Sequence, residues 1–180
     1  MFTIITPCSR PENLLKLAKS MFHIPYFRWV VCYDLSKVKE FVFPISVNAN
    51  ICGIEGGVMG NTQRNKAIEQ IFDPDEYIYC LDDDNLMHHD IDKILFYLKD
   101  VRYDIITFDQ EFNDGTIRKG DNPTLDHIDQ AQYIIRKKII EPYEQDHGAD
   151  GKQIESLVNK YRDKWLYLPI TMCYYNHLNK

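Results

Sequence analysis

Short apolar segments alternate with amphipathic segments along much of the chain. The segments that predict strands are "FTIIT" (2–6), "FRWVVCYD" (27–34), "YIYCL" (77–81) and "DIITF" (104–108). The last two show no polar alternation, which indicates strands buried on both faces. A weaker strand, "FVFPISVNA" (41–49), is interrupted by Pro44, a residue that cannot donate to a sheet ladder.

Helical spacing lies between these strands. The apolar residues with helical spacing are Leu14, Leu15, Ala18, Met21 and Phe22 in the first segment, Ile91, Ile94, Leu95 and Leu98 in a later one, and Ile154, Leu157, Val158 and Tyr161 near the end. Ser9 can cap the first helix, with Glu12 reaching back. A Gly-rich stretch (52–61) leads into a predicted helix, "TQRNKAIEQIF" (62–72). "IDQAQYIIRKKII" (128–140) and "LYLPITMCYYNHL" (166–178) are predicted to be extended.

The alternation of strands and helices predicts one α/β domain over residues 1–180, with a mostly parallel central sheet flanked by helices. In such sheets, ligands bind beyond the carboxyl ends of the strands. Asp34 and the triplet Asp82, Asp83 and Asp84 each follow a predicted strand. We therefore expect these acidic residues at one edge of the sheet.

Composition narrows the class of protein. Hydrophobic residues make up 44% of the 180 residues and charged residues 27%, which indicates a folded core. The net charge is −6, and the densest basic cluster, Arg136–Lys138, is short, so nucleic acid is not an expected partner. No segment has the length of a membrane span or the features of a signal peptide. The five cysteines contain no C-x-x-C pair, which favours a reducing, cytoplasmic setting.

Three consecutive carboxylates at a strand tip repel one another and raise one another's pKa unless a cation compensates them. Oxygen ligands suit Mg²⁺ or Mn²⁺, which often also bind the phosphates of a substrate. The alternative is a helix cap within a solvated acidic turn. An EF-hand does not fit, because Met87 stands where the loop needs glycine. We expect His88 and His89 to begin the next helix.

The segment "CLDDDN" (80–85) after a buried strand resembles the Asp-x-Asp motif of nucleotide-sugar glycosyltransferases with the GT-A fold. Three further segments resemble that family in the same order: "TIITPCSRPENLLKLAKS" (3–20), "GNTQRNKAIEQI" (60–71) and "IDQAQYIIRKKII". The set is similar to inverting, family-2-like enzymes, to the animal β-1,3-glucuronyltransferases, and to small viral and bacterial glycosyltransferases. It spans roughly residues 1–178.

The resemblance implies a metal site with Mn²⁺ or Mg²⁺. Asp84 would be the direct ligand, Asp82 a second or water-mediated ligand, and His177 the third. Asp83 would contact the ribose or the metal shell. Asp129 would hold a sugar hydroxyl of the donor.

The resemblance also implies a nucleotide pocket that contains Thr6, Pro7, Arg10, Asp34 and Arg64. Asp34 would accept a hydrogen bond from the imide N–H of uracil, and Arg64 would meet the diphosphate or the base. Asp34 is equally consistent with a simple turn former at the strand end, and Arg64 with a solvated helix residue.

Asp150 would be the general base, in "DGKQIESL" (150–157). Asp146 and Glu155 are competing bases, and Asp150 could instead be a helix N-cap. Asn65 would support the turn. Trp165 or Tyr143 could stack on a sugar, although structural packing is the more common role of such residues.

The implied function is metal-dependent transfer of a sugar, with inversion, from a nucleotide-diphosphate donor, UDP-linked by preference, to a hydroxyl of a glycan, lipid-linked or protein-linked acceptor. One alternative is a sugar-phosphate nucleotidyltransferase, although "TPCSRPEN" (6–13) lacks the Gly-rich loop and lysine usual there. The other is a catalytically inactive nucleotide- or carbohydrate-binding module. The region from Asp109 to Asp150 is short and leaves little material for an acceptor site, so one further alternative is that the chain is a module of a larger protein or partner complex.

Overall fold

The strands in the described part of the chain form one sheet. The computed structural model describes residues 2–25, 27–40 and 49–178. The strands are β1 (Phe2–Cys8), β2 (Phe27–Asp34), β3 (Ala49–Ile54), β4 (Tyr77–Cys80), β5 (Leu86–Met87), β6 (Ile105–Glu111), β7 (Ile117–Arg118), β8 (Tyr133–Arg136) and β9 (Trp165–Tyr174). The helices are α1 (Leu14–Met21), α2 (Asn61–Ile68), α3 (Ile94–Tyr97) and α4 (Ala149–Lys160).

The strand order is β3-β2-β1-β4-β8-β6-β9-β5, and β7 pairs with β6. The first half is parallel, as predicted, because β1 pairs in parallel with β2 and β4, and β2 with β3. The second half is mixed: β8 runs antiparallel to both β4 and β6, whereas β6 and β9 are parallel. A long irregular segment, not a crossover helix, connects β7 to β8, so nothing forces β8 to be parallel. The sheet is therefore less parallel than the strand–helix alternation suggested.

Both faces of the parallel half are covered, which explains the unbroken apolar strands. Ile4 faces the same side as Leu17 of α1, and the next residue, Ile5, packs with Ala67 of α2 on the opposite side. Each buried isoleucine contributes about 1.5–3 kcal/mol of transfer free energy. Helix α4 packs through Ile154 on the mixed half of the sheet. Helices α1 and α2 thus support the strand ends at which the acidic residues lie.

Several local predictions differ from the structure. The weak strand proposed at 41–49 falls almost wholly outside the described residues, and β3 begins at Ala49 and continues into the Gly-rich stretch. The segment 128–140 contains only the short strand β8 between two 3₁₀ turns. Ser9 does not cap the first helical turn, because its backbone N–H and hydroxyl bond to Asp83 instead.

A search of the described residues for a helix with the length and apolar character of a membrane span finds none.

Candidate active site

Residues 82–85, which we call the acidic loop, lie at the carboxyl edge of the parallel strands. The Leu81 N–H donates to the Ile5 carbonyl at 2.9 Å, which extends the β1–β4 pairing by one residue. The Asn85 N–H then donates to the Asp82 carbonyl at 3.2 Å and closes a turn. Asp34 ends β2 at the same edge. The parallel pairing therefore brings the two acidic strand ends together, as expected from the sequence.

Two adjoining cavities open at this edge. The Asp34 cavity, of about 230 Å³, is lined by Pro7, Cys8, Ser9, Arg10, Asp34, Lys37, Met59, Gly60, Gln63, Arg64, Asp82, Asp83 and Asp84. The Asp150 cavity, of about 420 Å³, is lined by Arg10, Met59, Asn61, Arg64, Asp82, Asp84, Asn85, Asp129, Asp146, His147, Gly148, Ala149, Asp150, Tyr175 and Asn176. Arg10, Arg64, Asp82 and Asp84 line both cavities, which we refer to together as the cleft.

Arg64 and Asp82 form a bifurcated ion pair in the wall of this cleft. Arg64 Nη2 donates to both oxygens of Asp82, at 2.7 and 2.9 Å. Burial lowers the pKa of Arg64, but the negative charges around it, Asp82 foremost, raise it well above its usual value. Burial raises the pKa of Asp82 to about 6 even though Arg64 opposes the change. Arg64 is thus a buried cation fixed at the acidic loop.

Asp83 is turned into the protein. It is 2% exposed, and it accepts hydrogen bonds from the backbone N–H groups of Ser9 (2.6 Å) and Arg10 (2.7 Å) and from the Arg10 side chain (2.8 and 2.5 Å). Arg10 also contacts Asp84 Oδ2 at 2.8 Å. Asp83 therefore fastens the β4 tip to the loop after β1. Asp82 and Asp84 are the members of the triplet that also face the Asp150 cavity.

Asp129 lies across the Asp150 cavity from the acidic loop. One of its oxygens accepts hydrogen bonds from the Ala131 N–H and from Gln110 Nε2, both at 3.0 Å. Burial raises its pKa, and the nearby charge of Asp150 adds to that effect. The other oxygen is 3.9 Å from Arg118. Asp129 therefore lines the cleft with one oxygen bonded to Ala131 and Gln110 and the other facing Arg118.

Asp150 lies in the first turn of α4 and lines the cleft. It is not the N-cap, because that position is Gly148, whose φ of 79° favours glycine. Of the two competing bases, Asp146 lines the same cavity but is ion-paired with Lys152. Glu155 lies outside the cleft lining and accepts from the Leu125 N–H at 3.1 Å.

Asp34 faces its cavity as an ionised acceptor. Burial raises its pKa, but hydrogen bonds from Ser36 and Lys37 outweigh burial and lower it. Ser36 donates through its N–H at 3.1 Å and its hydroxyl at 2.5 Å, and Lys37 Nζ lies 3.2 Å away. The turn-former interpretation is thus part of the local structure, and it leaves the carboxylate at the cavity wall.

Two residues expected at the site lie outside the cleft lining. Thr6 is fully buried and accepts a hydrogen bond from Trp29 Nε1 at 3.0 Å. His177 stacks on Tyr174 with ring centroids 4.8 Å apart, and its Nε2 is buried without a hydrogen-bond partner. The turn that carries His177 does reach the acidic loop, because the Leu178 N–H donates to the Asp84 carbonyl at 2.9 Å.

Asn65 and Asn61 fasten the segment before α4. Asn65 exchanges two hydrogen bonds with the Tyr143 backbone, at 2.9 and 2.8 Å, so its expected supporting role is clear in the structure. Tyr143 is buried beneath Arg64, 5.8 Å from its guanidinium carbon, and does not line the cleft. Trp165 donates to Thr107 at 2.9 Å and is likewise a packing residue.

Asn61 is a residue of the site that the sequence patterns did not indicate. Its side-chain nitrogen donates to the carbonyls of Glu144 (2.8 Å) and Asp146 (3.0 Å), and its oxygen accepts from Arg64 at 2.7 Å. Asn61 follows Gly60, whose φ is 80°, and this Gly-Asn pair at the start of a helix was the available signal. The residue links the acidic loop to the segment that carries Asp150.

Five carboxylates and only two guanidinium groups line the Asp150 cavity. Two of the five also face cations from outside the lining, Asp129 towards Arg118 and Asp146 towards Lys152. Carboxylate oxygens are the donors that a divalent cation such as Mg²⁺ or Mn²⁺ prefers, so the residue types fit such an ion. Among the described residues, the three ligand atoms that already lie within 4.8 Å of one another belong to His88, His89 and Asp90, not to the acidic loop. Asp90 in that group is paired with Lys93 at 2.8 Å.

Comparisons with known proteins establish the fold. Neither a family model nor a curated protein sequence matches the chain. Among solved structures, a mannosyltransferase from Pyrobaculum calidifontis, in complex with GDP-Man and Mn²⁺, matches with a TM-score of 0.69 and 12% identity, over 97% of this chain and 56% of that one.

Two further structures are similar over most of their own length. HddC from Yersinia pseudotuberculosis matches with a TM-score of 0.59 and 11% identity, over 95% of this chain and 91% of its own. A putative glucose-1-phosphate thymidylyltransferase from Bacillus anthracis, in complex with a sucrose, matches with a TM-score of 0.59 and 9% identity, over 96% of this chain and 88% of its own. The chain therefore has the α/β fold that GT-A glycosyltransferases share with nucleotidyltransferases. At these identities the likeness concerns the fold alone.

Proposed function

We propose that this protein is a metal-dependent, inverting glycosyltransferase that moves a sugar from a nucleotide-diphosphate donor, with a UDP-sugar favoured, to a hydroxyl of a glycan, lipid-linked or protein-linked acceptor. The observation that supports this most directly is the cleft at the carboxyl edge of the strands, whose lining brings the acidic loop together with Asp129 and Asp150. A transferase of this fold needs cationic groups for a diphosphate and a base for an acceptor hydroxyl. Arg10 and Arg64 would serve the first need and Asp150 the second.

The Asp34 cavity suits the nucleoside. Asp34 would accept a hydrogen bond from the imide N–H of uracil, and Pro7 would line the pocket. Arg10 and Arg64, on the wall that the two cavities share, would contact the diphosphate. Gly60 lies against Pro7, and a side-chain carbon at position 60 would approach Pro7 Cβ to 3.0 Å.

The Asp150 cavity suits the metal ion and the transferred sugar. Asp82 and Asp84 would hold Mn²⁺ or Mg²⁺. His177, on the turn whose Leu178 N–H bonds to the Asp84 carbonyl, stays the proposed third ligand although it does not line this cavity in the structure. Such an ion, when bound, neutralises the charge that develops on the leaving diphosphate. Asp83, whose oxygens already bond to Ser9 and Arg10, would act mainly by fixing the loop.

Asp129 would orient a hydroxyl of the donor sugar, and Asp150 would take the proton from the acceptor hydroxyl. A single displacement, with the base opposite the leaving group, inverts the anomeric carbon.

Sugar-phosphate nucleotidyl transfer is the second candidate. It is supported by the fold likeness to the thymidylyltransferase. The matched region is 88% of the thymidylyltransferase chain but only 56% of the mannosyltransferase chain. It is disfavoured by the loop after β1, which uses Arg10 and Ser9 to bind Asp83 rather than presenting glycines to a phosphate.

A thermal-shift panel tests the proposal. UDP-, GDP-, CMP- and dTDP-sugars are each added with and without Mn²⁺, and we expect metal-dependent stabilisation by a nucleotide sugar, strongest for a UDP-sugar. Absence of any metal-dependent shift would contradict the glycosyltransferase proposal. Release of pyrophosphate from a nucleoside triphosphate and a sugar 1-phosphate would favour nucleotidyl transfer instead. Metal-dependent binding without turnover would identify an inactive binding module.

A further inference from the structure

A third cavity adjoins the cleft on the side of Asp150. It has a volume of about 330 Å³ and is lined by Phe112, Asn113, Asp114, Tyr175 and Asn176. Tyr175 and Asn176 also line the Asp150 cavity, so the two spaces meet at these residues. We refer to this third space as the Phe112 cavity. It extends the cleft away from the Asp34 end, where the nucleoside is proposed to bind.

The walls of the Phe112 cavity come from two segments that the backbone holds together. The Phe112 N–H donates to the Thr116 carbonyl at 2.9 Å and closes the hairpin between β6 and β7. The Tyr175 N–H donates to the Glu111 carbonyl at 2.8 Å and ties the turn at residues 175–178, which we call the C-terminal turn, to that hairpin. The cavity is therefore built on the end of a sheet rather than on a free loop.

The same turn is also fastened to the acidic loop. The Asn176 N–H donates to Asn85 Oδ1 at 2.8 Å, and Asn85 is 1% exposed. Asn113 Nδ2 reaches the Asn176 carbonyl at 3.4 Å. Asn85, the last residue of "CLDDDN", thus fixes the position of the Phe112 cavity relative to Asp82 and Asp84.

Two aromatic rings form the apolar part of this cavity. Phe112 and Tyr175 lie edge to face with centroids 5.2 Å apart. The Arg118 guanidinium lies 4.7 Å from the Phe112 centroid and 4.9 Å from the Tyr175 centroid, which holds both rings in place. Neither ring is fully buried, so each keeps surface for a ligand.

A sugar ring matches this combination of groups. A pyranose has an apolar face of C–H groups, which packs on aromatic rings, and a rim of hydroxyls, which bonds to amides and carboxylates. Asn113, Asp114 and Asn176 supply such polar partners around the two rings. The volume is at the low end of the range of about 300–1,000 Å³ for small-molecule sites, which suits one ring.

We infer that the Phe112 cavity is the acceptor subsite and that it binds a pyranose ring of a glycan acceptor on Phe112 and Tyr175. Its role as an acceptor site rests on the proposed function, whereas its ability to bind a sugar does not. A ring held there lies next to the cavity that Asp150 lines, because the two cavities share Tyr175 and Asn176. The subsite is then built from the β6–β7 hairpin and the turn at 175–178.

Saturation-transfer NMR tests this inference without nucleotide or metal. The probes are the methyl glycosides of glucose, galactose, mannose, rhamnose and N-acetylglucosamine, applied to the full chain. We expect at least one glycoside to receive saturation at its ring protons. In Phe112→Ala and Tyr175→Ala, we expect the apparent Kd for that glycoside to rise at least about fivefold, because the stacking surface is lost.

Matched variants separate binding from folding. Tyr175→Phe keeps the ring and should bind the glycoside like the unmodified protein. Phe96→Ala removes a ring that is 77% exposed elsewhere and should also leave binding unchanged. Absence of binding by all five glycosides, or binding that Phe112→Ala and Tyr175→Ala leave intact, overturns the inference. Glycoside binding lost in those variants, in a protein that shows no nucleotide-dependent shift, would uphold the subsite and contradict the proposed function.

Discussion

Arg64 reaches from α2 to hold both oxygens of Asp82, at 2.7 and 2.9 Å, although the two residues are 18 positions apart. The Arg64 side chain is 6% exposed and that of Asp82 is 26% exposed, so the pair lies between the core and the cleft. Without a metal ion, the guanidinium is the cation that compensates the first aspartate of the acidic loop. Arg64 therefore has a structural role in addition to its proposed contact with the diphosphate.

Replacement of Arg64 by methionine should destabilise the protein by about 3 kcal/mol, because Asp82 loses the cation that compensates it. Urea denaturation at pH 7.5 measures this effect. The matched control is Arg102→Met, which breaks the pair with Asp100 at a side chain 74% exposed, and should cost less than about 1 kcal/mol. Equal losses in the two variants would show that the Arg64 pair is no more important than a surface ion pair.

Replacement of Asp84 by asparagine should abolish metal-dependent stabilisation by the donor nucleotide. A ligand at about a hundred times its Kd raises the melting temperature of a domain of this size by roughly 5–10 °C. We expect that shift to disappear in Asp84→Asn and to persist in Asp92→Asn, which changes an exposed aspartate elsewhere. A full Mn²⁺-dependent shift in Asp84→Asn would remove Asp84 from the proposed metal site.

Replacement of Asp150 by asparagine should leave donor binding intact and lower the rate of transfer at least about a hundredfold, because the acceptor hydroxyl loses its base. The measurements are the thermal shift with nucleotide sugar and the rate of nucleoside diphosphate release with acceptor. Glu155→Gln, on the same helix but outside the cleft lining, is the control. If Asp150→Asn transfers sugar normally and Asp146→Asn does not, Asp146 is the base.

His88 should make stability fall in mild acid. Burial lowers the pKa of His88, and the neighbouring charges of His89 and Lys93 lower it further. Asp90 and Glu111 raise this pKa, but by less. Unfolded histidine titrates near 6.5. Below that pH the unfolded chain binds a proton that the folded protein resists, so the free energy of unfolding decreases as the pH falls towards the lowered folded-state pKa.

Urea denaturation between pH 5 and pH 8 measures this pH dependence. In His88→Asn, which can still accept from the Asp90 N–H, the part of the decline due to His88 should disappear. His23→Asn, at an exposed position, should keep the decline of the unmodified protein. A decline that is the same in all three proteins would assign it to other groups.

Some predictions could be made from the chain because they depend on local pattern. The unbroken apolar segments indicated that β4 and β6 are buried, and the carboxylates directly after β4 indicated an acidic strand tip. The alternation of side chains between the two faces of a strand could have corrected one prediction. Thr6 shares a strand face with Ile4, two residues before it, and that face is covered by α1, so its side chain points into the core.

Which partners the acidic residues have was decided only by the tertiary structure. Asp83 pairs with Arg10 across 73 positions, and Asn61 bonds to Asp146 across 85. Such contacts depend on the register of neighbouring strands and the docking of helices, which no local pattern encodes. The sequence by itself determined an α/β fold with an acidic strand tip. The tertiary structure decided that two arginines hold the acidic loop, and that Asp129 and Asp150 line one cavity with it, because chain segments far apart in sequence converge at the carboxyl edge of the sheet.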